Sequence, residues 1–333
     1  MKLTPFPQLL HSFFHDWLVQ QRNTSHHTVL SYRDSWRLFL QFVAARKNKS
    51  VARISLPDLG AREVLAFLQH TEQERHRSIG TRNCRLAALR SFFSFVADRE
   101  PLASAQCAEV LHIPTKRAPH RALCYLDEDE LTAILAQPNR SKYLGQRDHV
   151  LCSLLYNTGA RIQEALNLKP RDLRLESPCH VRLFGKGRKE RICPLWPETV
   201  ELLKALLKRQ PREMDEPIFL NRYGQPLRAA GARFKLKHYV AAAAKKVSTL
   251  ASKRVSPHTF RHSTAVSLVA QGVDVTVIRS WLGHASLDTT NHYARANLET
   301  KRKALEKVAA SSRPAKPLRW RRDADLLAWL NSL

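Results

Sequence analysis

The sequence predicts a mainly α-helical protein with a small antiparallel β-sheet, divided into two domains. Three observations predict it. Apolar residues recur at three- and four-residue spacing through most of the 333-residue chain, the pattern of helices that bury one face. The strand-like runs DLRLES, VRLF and ERICPL fall close together, and the last two flank a Gly-Lys-Gly turn. Between the halves, EVLHIPTKRAPHRALCY carries Pro114, Pro119 and several cations with little periodicity, which reads as an exposed basic linker. The expected boundaries are a helical domain at 1–108, a linker at 109–122, a second domain at 123–310 and a tail at 311–333.

In the first domain, LLHSFFHDWLVQQ is apolar on one face. SHHTVLSYRDSWRLFLQFVAARK follows, with Val29, Tyr32, Trp36, Phe39, Leu40 and Val43 at helical spacing. In ISLPDLGAREVLAFLQHTEQERH, Ser55 to Pro57 mark a helix start with Asp58 as a cap. The fourth helix, SIGTRNCRLAALRSFFSFVADRE, has Leu86, Leu89, Phe92, Phe93 and Val96 as its core stripe. Thr81, Arg82, Asn83, Arg85 and Arg90 lie at its start and along another face. Polar and basic groups at a helix N-terminus suit a phosphate or a base edge. These residues, with Ser31, Tyr32 and Arg33 on the second helix, are the expected nucleic-acid contacts. The plain alternative for such faces is solvation.

In the second domain, Asp127 with Glu130 three residues on forms a capping box. RDHVLCSLLYNTGARIQEALNLKPRDL gives two helices joined at Thr158 and Gly159, the glycine turning the chain toward Arg161. A hairpin follows with Lys186 at its tip, and helices continue through Tyr293 to Glu306. Beyond the Pro-broken AKPLRW, DADLLAWLNSL is an amphipathic last helix, apolar at Leu326, Leu327, Trp329 and Leu330.

Charge narrows the partner. Lys and Arg total 55 against 29 Asp and Glu, a formal net charge of +26, which attracts a polyanion. The hydrophobic share of 44% is that of a folded globular chain, so the charge sits on structured domains. The cysteines, Cys84, Cys107, Cys124, Cys152, Cys179 and Cys193, form no CxxC pair, and their scatter suits a reducing compartment. No secretory signal and no membrane-length apolar run is evident, so the expected location is the cytoplasm, on the nucleoid. HTFRH lacks the glutamate of a zinc-binding HExxH, and neither a metal nor a cofactor is expected.

The segment Pro257–Tyr293 carries the chemistry. It holds His258, Arg261, His284 and Tyr293, and Arg161 stands upstream in TGARIQEALNL. Each guanidinium is a permanent planar fork of donors, and two can clamp one phosphate and stabilise charge that builds at phosphorus. His258 and Arg261 are three apart in a helical run and share a face. Tyrosine, with a pKa of about 10, needs a base or a cation beside it to act as a nucleophile. His258 is a suitable proton acceptor, His284 a donor to a phosphate oxygen, and Lys186 the candidate acid for a departing 5′ oxygen. Taken singly, each has an ordinary reading: a surface tyrosine, a solvated HxxR face, an i,i+3 ion pair of Arg161 with Glu164, a turn lysine, a helix-end histidine.

Taken in order, these motifs resemble the tyrosine recombinase, or phage integrase, family, with the Xer-like bacterial members nearest in flavour. The matching positions are Arg161 with Glu164 in ARIQEAL, Lys186 in GKG, His258, Arg261 and His262 in HTFRH, His284 in LGH, and the late Tyr293. The match covers residues 145–300. The resemblance implies strand cleavage by Tyr293 without metal or ATP, a 3′-phosphotyrosyl bond, release of a 5′ hydroxyl, and rejoining. It implies double-stranded DNA with inverted-repeat core sites as substrate. It also implies four protomers exchanging strands on that DNA through a Holliday junction, a monomer or weak oligomer when free, and accessory proteins as further partners. It makes the N-terminal helices a core-binding domain, and Glu164 and His262 supports for the arginines. It also implies that part of residues 297–333 docks on a neighbouring protomer. The tail is longer than in typical housekeeping Xer proteins, which favours a mobile-element integrase. Two other classes share the motifs: a catalytically silent DNA-binding protein, and a nicking or topoisomerase-like enzyme without strand exchange.

Overall fold

In the computed structural model, the described residues are 4–118, 123–185 and 189–283. The chain divides into two compact units, residues 1–121 and 122–333.

In unit 1, α1 (Phe6–Ser12) runs on as a π-helical stretch, Phe13–Gln21. α2 (His26–Lys47) starts at Ser25, whose hydroxyl accepts from the Thr28 amide, and stops at Asn48 in the left-handed conformation. The Ser55–Asp58 box caps a short 3₁₀ turn, Leu56–Leu59, and α3 (Ala61–Gln73) begins only after Gly60, later than the sequence implied. The Asp58 carboxylate accepts from Lys49 Nζ at 2.8 Å and from the Ser55 amide at 3.0 Å, which holds it far below the usual carboxylate range. α4 (Ile79–Ala97) is capped by Ser78. Its Phe92 meets Trp36 of α2 edge-on, 4.5 Å between ring centres, in a core shared with Phe13, Phe39, Phe67 and Phe93.

Unit 1 extends further than expected. Residues 104–112 form α5 (Ser104–His112), although the linker was expected to begin at 109. Cys107 and Val110 are fully buried and Ile113 nearly so, closing the apolar core. Their three-residue spacing spans barely two turns, too little to stand out among the surrounding polar residues. The chain beyond α5 is also held. Arg90 donates to the Ile113 carbonyl and Arg82 to the Pro114 carbonyl at 3.2 Å. Asn83 Nδ2 donates to the Lys116 carbonyl at 2.8 Å, and Asn83 Oδ1 accepts from the Lys116 amide at 3.2 Å. Residues 113–116 are therefore strapped along α4.

In unit 2, the expected capping box is present at α6 (Glu128–Leu135), with Asp127 and Glu130 each accepting from the other's backbone amide. Glu130 is buried and also accepts from Lys253 Nζ at 2.6 Å and Thr249 Oγ1 at 2.7 Å. α7 (Tyr143–Thr158) and α8 (Ile162–Leu166) flank Gly159 as the sequence implied. The sheet is antiparallel in the order β1 (Leu173–Arg174), β2 (His180–Phe184), β3 (Glu190–Pro194). Val181 faces Cys193 and Leu183 faces Arg191 across β2 and β3. Helices α9 (Pro197–Arg209), α10 (Ala229–Ala243), α11 (Pro257–Ala270) and α12 (Val275–Leu282) complete the described part. α11 packs on α7, and α12 touches β3, so the sheet and three helices surround one region. The expected helix through Tyr293 to Glu306 and the tail at 311–333 lie outside the described residues.

Ile113 tests the enlarged core. Ile113→Ala should lower the stability of the unit 1 transition in urea by about 2–4 kcal/mol. A change within about 0.5 kcal/mol, the size expected of a surface substitution, would mean that the residue belongs to a free linker.

Candidate active site

The site is built around the end of α7. Gly159 takes a φ of +59°, and a Cβ there would stand 2.4 Å from Leu282 Cδ2, so backbone and space both demand glycine. The turn delivers Arg161 to the N-terminus of α8. Its amide donates to Glu164 Oε2 at 2.9 Å and its Nη1 to Glu164 Oε1 at 2.7 Å. From β3, Arg191 Nη2 donates to Glu164 Oε2 at 2.7 Å, while its Nε donates to the Trp281 carbonyl at 3.0 Å. Burial alone would raise the Glu164 pKa. The bonds and charge of Arg191, then those of Arg161, outweigh it and hold the carboxyl below its ordinary value.

Arg261 lies one turn after His258 on α11. Its Nη1 donates to the Gly159 carbonyl at 2.7 Å and its Nη2 to the Leu282 carbonyl at 2.6 Å. Arg261 is 4% exposed, whereas the Arg161 side chain is 39% exposed. One guanidinium therefore backs the site and the other opens to solvent. His258 is exposed at the start of α11. Desolvation first, then the charges of Arg261, Arg161 and Arg233, push its pKa below the ordinary 6.5. It therefore stays neutral, with a lone pair for a proton, further into the acid range than a free imidazole. His262 is pushed down by desolvation and by His258 and Arg261.

Thus Arg161 with Glu164 at α8, and His258 with Arg261 on α11, are brought to one region. Lys186, His284 and Tyr293 lie outside the described residues. Their described neighbours border the same region. A Cβ on Gly185 would stand 3.3 Å from Glu164 Oε1 and 3.8 Å from Arg161 Nη1. One on Gly283, where φ is +65°, would stand 3.0 Å from Arg191 Cδ. No cluster of three or more His, Cys, Asp or Glu suited to a metal occurs among the described residues.

The expected contacts of unit 1 divide. Ser31 and Arg33 are exposed, with Arg33 paired to Asp34 at 2.9 Å; Tyr32 and Thr81 are half-buried. Arg82, Asn83 and Arg90 hold the strap at 113–116. Arg85 is buried and donates to Thr71 Oγ1 at 2.6 Å. The last four were placed on a free basic face, and the structure instead uses them inside unit 1: Arg90 and Arg85 serve the buried residues Ile113 and Thr71, whose polar groups need donors, while Arg82 and Asn83 hold the exposed residues 114 and 116.

Sequence reading missed two features. Arg191 falls in a strand at a position level with the buried Leu183 and next but one to the buried Cys193. A charge on the inward face of an alternating strand was the available signal. On α10, Arg233, Phe234, Lys235, Lys237 and His238 are all exposed, and the charge of Arg233 is felt at His258. GARFKLKHY carried that basic, aromatic face in its spacing.

A fold of helices with a small sheet, and arginines from distant segments beside a histidine, suit an enzyme of the phosphodiester-transfer class. The comparisons agree. Residues 124–300 match the phage integrase family, and residues 11–100 match the N-terminal SAM-like domain of phage integrases. The chain is 39% identical over 325 residues to a putative integrase/recombinase, y4rC, of Sinorhizobium fredii, covering 98% of this chain and 97% of that protein. It is 33% identical over 302 residues to the tyrosine recombinase XerC of Pelobacter propionicus, covering 90% and 95%. In solved structures, the fold is shared with XerH site-specific recombinase bound to a palindromic difH substrate, with TM-score 0.67, 24% identity, and coverage of 87% and 81%. It is shared also with the Tn1549 transposon integrase in complex with transposon right end DNA, with TM-score 0.66, 18% identity, and coverage of 90% and 98%. The chain belongs to the phage integrase family and is a tyrosine-type site-specific DNA recombinase.

The lowered histidines carry a stability consequence. His149 on α7 is buried with Nδ1 2.9 Å from the Leu135 carbonyl, and desolvation, aided by Arg140, pushes its pKa below 6.5. Below the ordinary pKa the unfolded chain binds protons that folded His149, His258 and His262 do not. Their contribution is full above pH 6.5 and is lost as pH falls through that value toward the folded pKa. The melting temperature of the unit 2 transition should fall on acidification from neutrality, and His149→Gln should reduce that fall. An unchanged slope in the variant would rule out His149 as a source.

Proposed function

We propose that the protein cuts and rejoins DNA with Tyr293 as nucleophile, forming a 3′-phosphotyrosyl bond and a free 5′ hydroxyl. The observation that carries the reading is that His258 lies within the electrostatic reach of Arg261, Arg161 and Glu164 together, with Glu164 bonded to Arg161 and Arg261 bonded to the Gly159 carbonyl. Arg161, open to solvent and oriented by Glu164, takes the non-bridging oxygens of the phosphate. Arg261 adds fixed positive charge behind it. His258, neutral near physiological pH, accepts the phenolic proton as the tyrosine oxygen bonds to phosphorus. The sugar 5′ oxygen then leaves with a proton from Lys186, and His284 donates to a phosphate oxygen. The phosphotyrosyl linkage retains the energy of the original bond, so the reverse attack by a 5′ hydroxyl rejoins strands without ATP.

Four protomers act on paired inverted-repeat core sites, with accessory proteins as further partners. Unit 1 contacts the duplex, and in unit 2 the exposed basic face of α10 is a further contact surface. The contacts from unit 1 narrow to Ser31, Tyr32, Arg33 and Thr81, because Arg82 and Arg85 are buried and Asn83 and Arg90 are tied to residues 113–116, whereas the Arg33–Asp34 pair lies open to solvent. Among the described residues no helix is long and apolar enough to cross a membrane. The location we assign, the cytoplasm on nucleoid DNA, follows from the DNA substrate of the proposed reaction. The role we assign is the movement of a mobile element, supported by the likeness along nearly the whole chain to a putative integrase/recombinase.

A suicide duplex nicked beside the cut site tests the chemistry. The wild type should form a covalent protein–DNA band that Tyr293→Phe loses while still binding the duplex. An adduct persisting in Tyr293→Phe would refute the nucleophile. Transfer of the covalent strand to a second duplex separates recombination from simple nicking. Removing residues 311–333 should weaken assembly on paired sites in gel filtration; unchanged assembly would remove the tail from the protomer interface.

A further inference from the structure

We infer that Arg191 is a positioning residue for strand cleavage, fixing Arg161 and the C-terminal end of α12 in one register. The inference rests on the reading of the site above and extends it to a residue outside the family motif set out from the sequence.

The geometry is two-pronged. Nη2 of Arg191 bonds the Glu164 carboxylate at 2.7 Å, and Glu164 in turn bonds Arg161 Nη1 at 2.7 Å. Nε of the same guanidinium bonds the Trp281 carbonyl at 3.0 Å, in the last turn of α12. A planar guanidinium holds these two donors at a fixed separation and angle. The carboxylate that aims Arg161 and the carbonyl two residues before Gly283 are thereby set relative to each other. The packing is close, since a Cβ on Gly283 would stand 3.0 Å from Arg191 Cδ. Cys193, two residues along β3, adds a weaker bond from Sγ to the same Trp281 carbonyl at 3.3 Å. Arg191 is itself anchored, its side chain only 9% exposed, so it cannot serve DNA directly.

Arg191 shares the charge of Glu164 with Arg161, which pairs with the other carboxylate oxygen. What only Arg191 supplies is the link from the carboxylate to α12. A lysine keeps the charge and loses the second prong, which makes Arg191→Lys the informative variant.

Three quantities are measured on the full-length protein and the nicked suicide duplex: duplex affinity, the single-turnover rate of covalent adduct formation, and the same rate in a Glu164→Gln background. Arg191→Lys should bind the duplex within about twofold of wild type and form the adduct about 10- to 100-fold more slowly, the scale of a misplacement near 1 Å. In Glu164→Gln the same change should slow the adduct by less than about threefold further, because residues acting as one unit are not additive. A wild-type rate in Arg191→Lys, a loss of rate matched by an equal loss of binding, or full additivity with Glu164→Gln would each overturn the inference. None of these outcomes touches the assignment of Tyr293, which its own phenylalanine variant decides.

Discussion

The arrangement of unit 2 depends on one carboxylate. Glu164 is 5% exposed on its side chain and sits between Arg161 and Arg191, bonded to both at 2.7 Å. A buried carboxylate is tolerable only when its lone pairs are met by charged donors. Here the donors come from α8 itself and from β3, so the requirement of a single buried charge fixes the sheet against the helix that carries Arg161. The hairpin follows, because Gly185 passes within reach of the same oxygen.

A second buried cation completes the frame. Arg261 ties the end of α7 to the end of α12 through the Gly159 and Leu282 carbonyls. Gly159 allows the approach by having no side chain where Leu282 packs. The exposed members of the site, Arg161 and His258, thus rest on a buried polar layer that needs no substrate for its geometry. Groups that must meet charge developing in a transition state benefit from such fixed placement, since nothing has to reorganise as the bond breaks.

Much of this was legible in the sequence, and the reasons differ by element. The Asp127 and Glu130 cap, the Gly159 turn and the hairpin around 185 are local signals, each written within a few residues, and they appear where expected. Arg161, Glu164, His258 and Arg261 stood in ordered motifs, and their convergence followed from chemistry that wants several cations at one phosphate. α5 was missed because Cys107, Val110 and Ile113 are sparse apolar positions whose burial depends on α4 lying beside them. The bonds that the basic residues of α4 make within unit 1 went unread for a related reason. Positive charge in a sequence says nothing of whether a carbonyl from 30 residues away will claim it, as Arg82 and Asn83 are claimed by residues 114 and 116. Arg191 carried a signal in its inward register, but its partners come from α8 and α12, and only the fold brings those together.

The bonds of Arg261 change how that position should be read. The carbonyls it meets belong to the C-terminal ends of α7 and α12, where aligned peptide dipoles leave partial negative charge. Its cation therefore already offsets two helix ends before any anion arrives, and the attraction left for a phosphate is smaller than a full unit charge would give. Kinetics of a variant at 261 consequently mix two losses, one in the ground-state architecture and one in the reaction. Arg161, with its solvent-facing fork, is the cleaner probe of anion affinity.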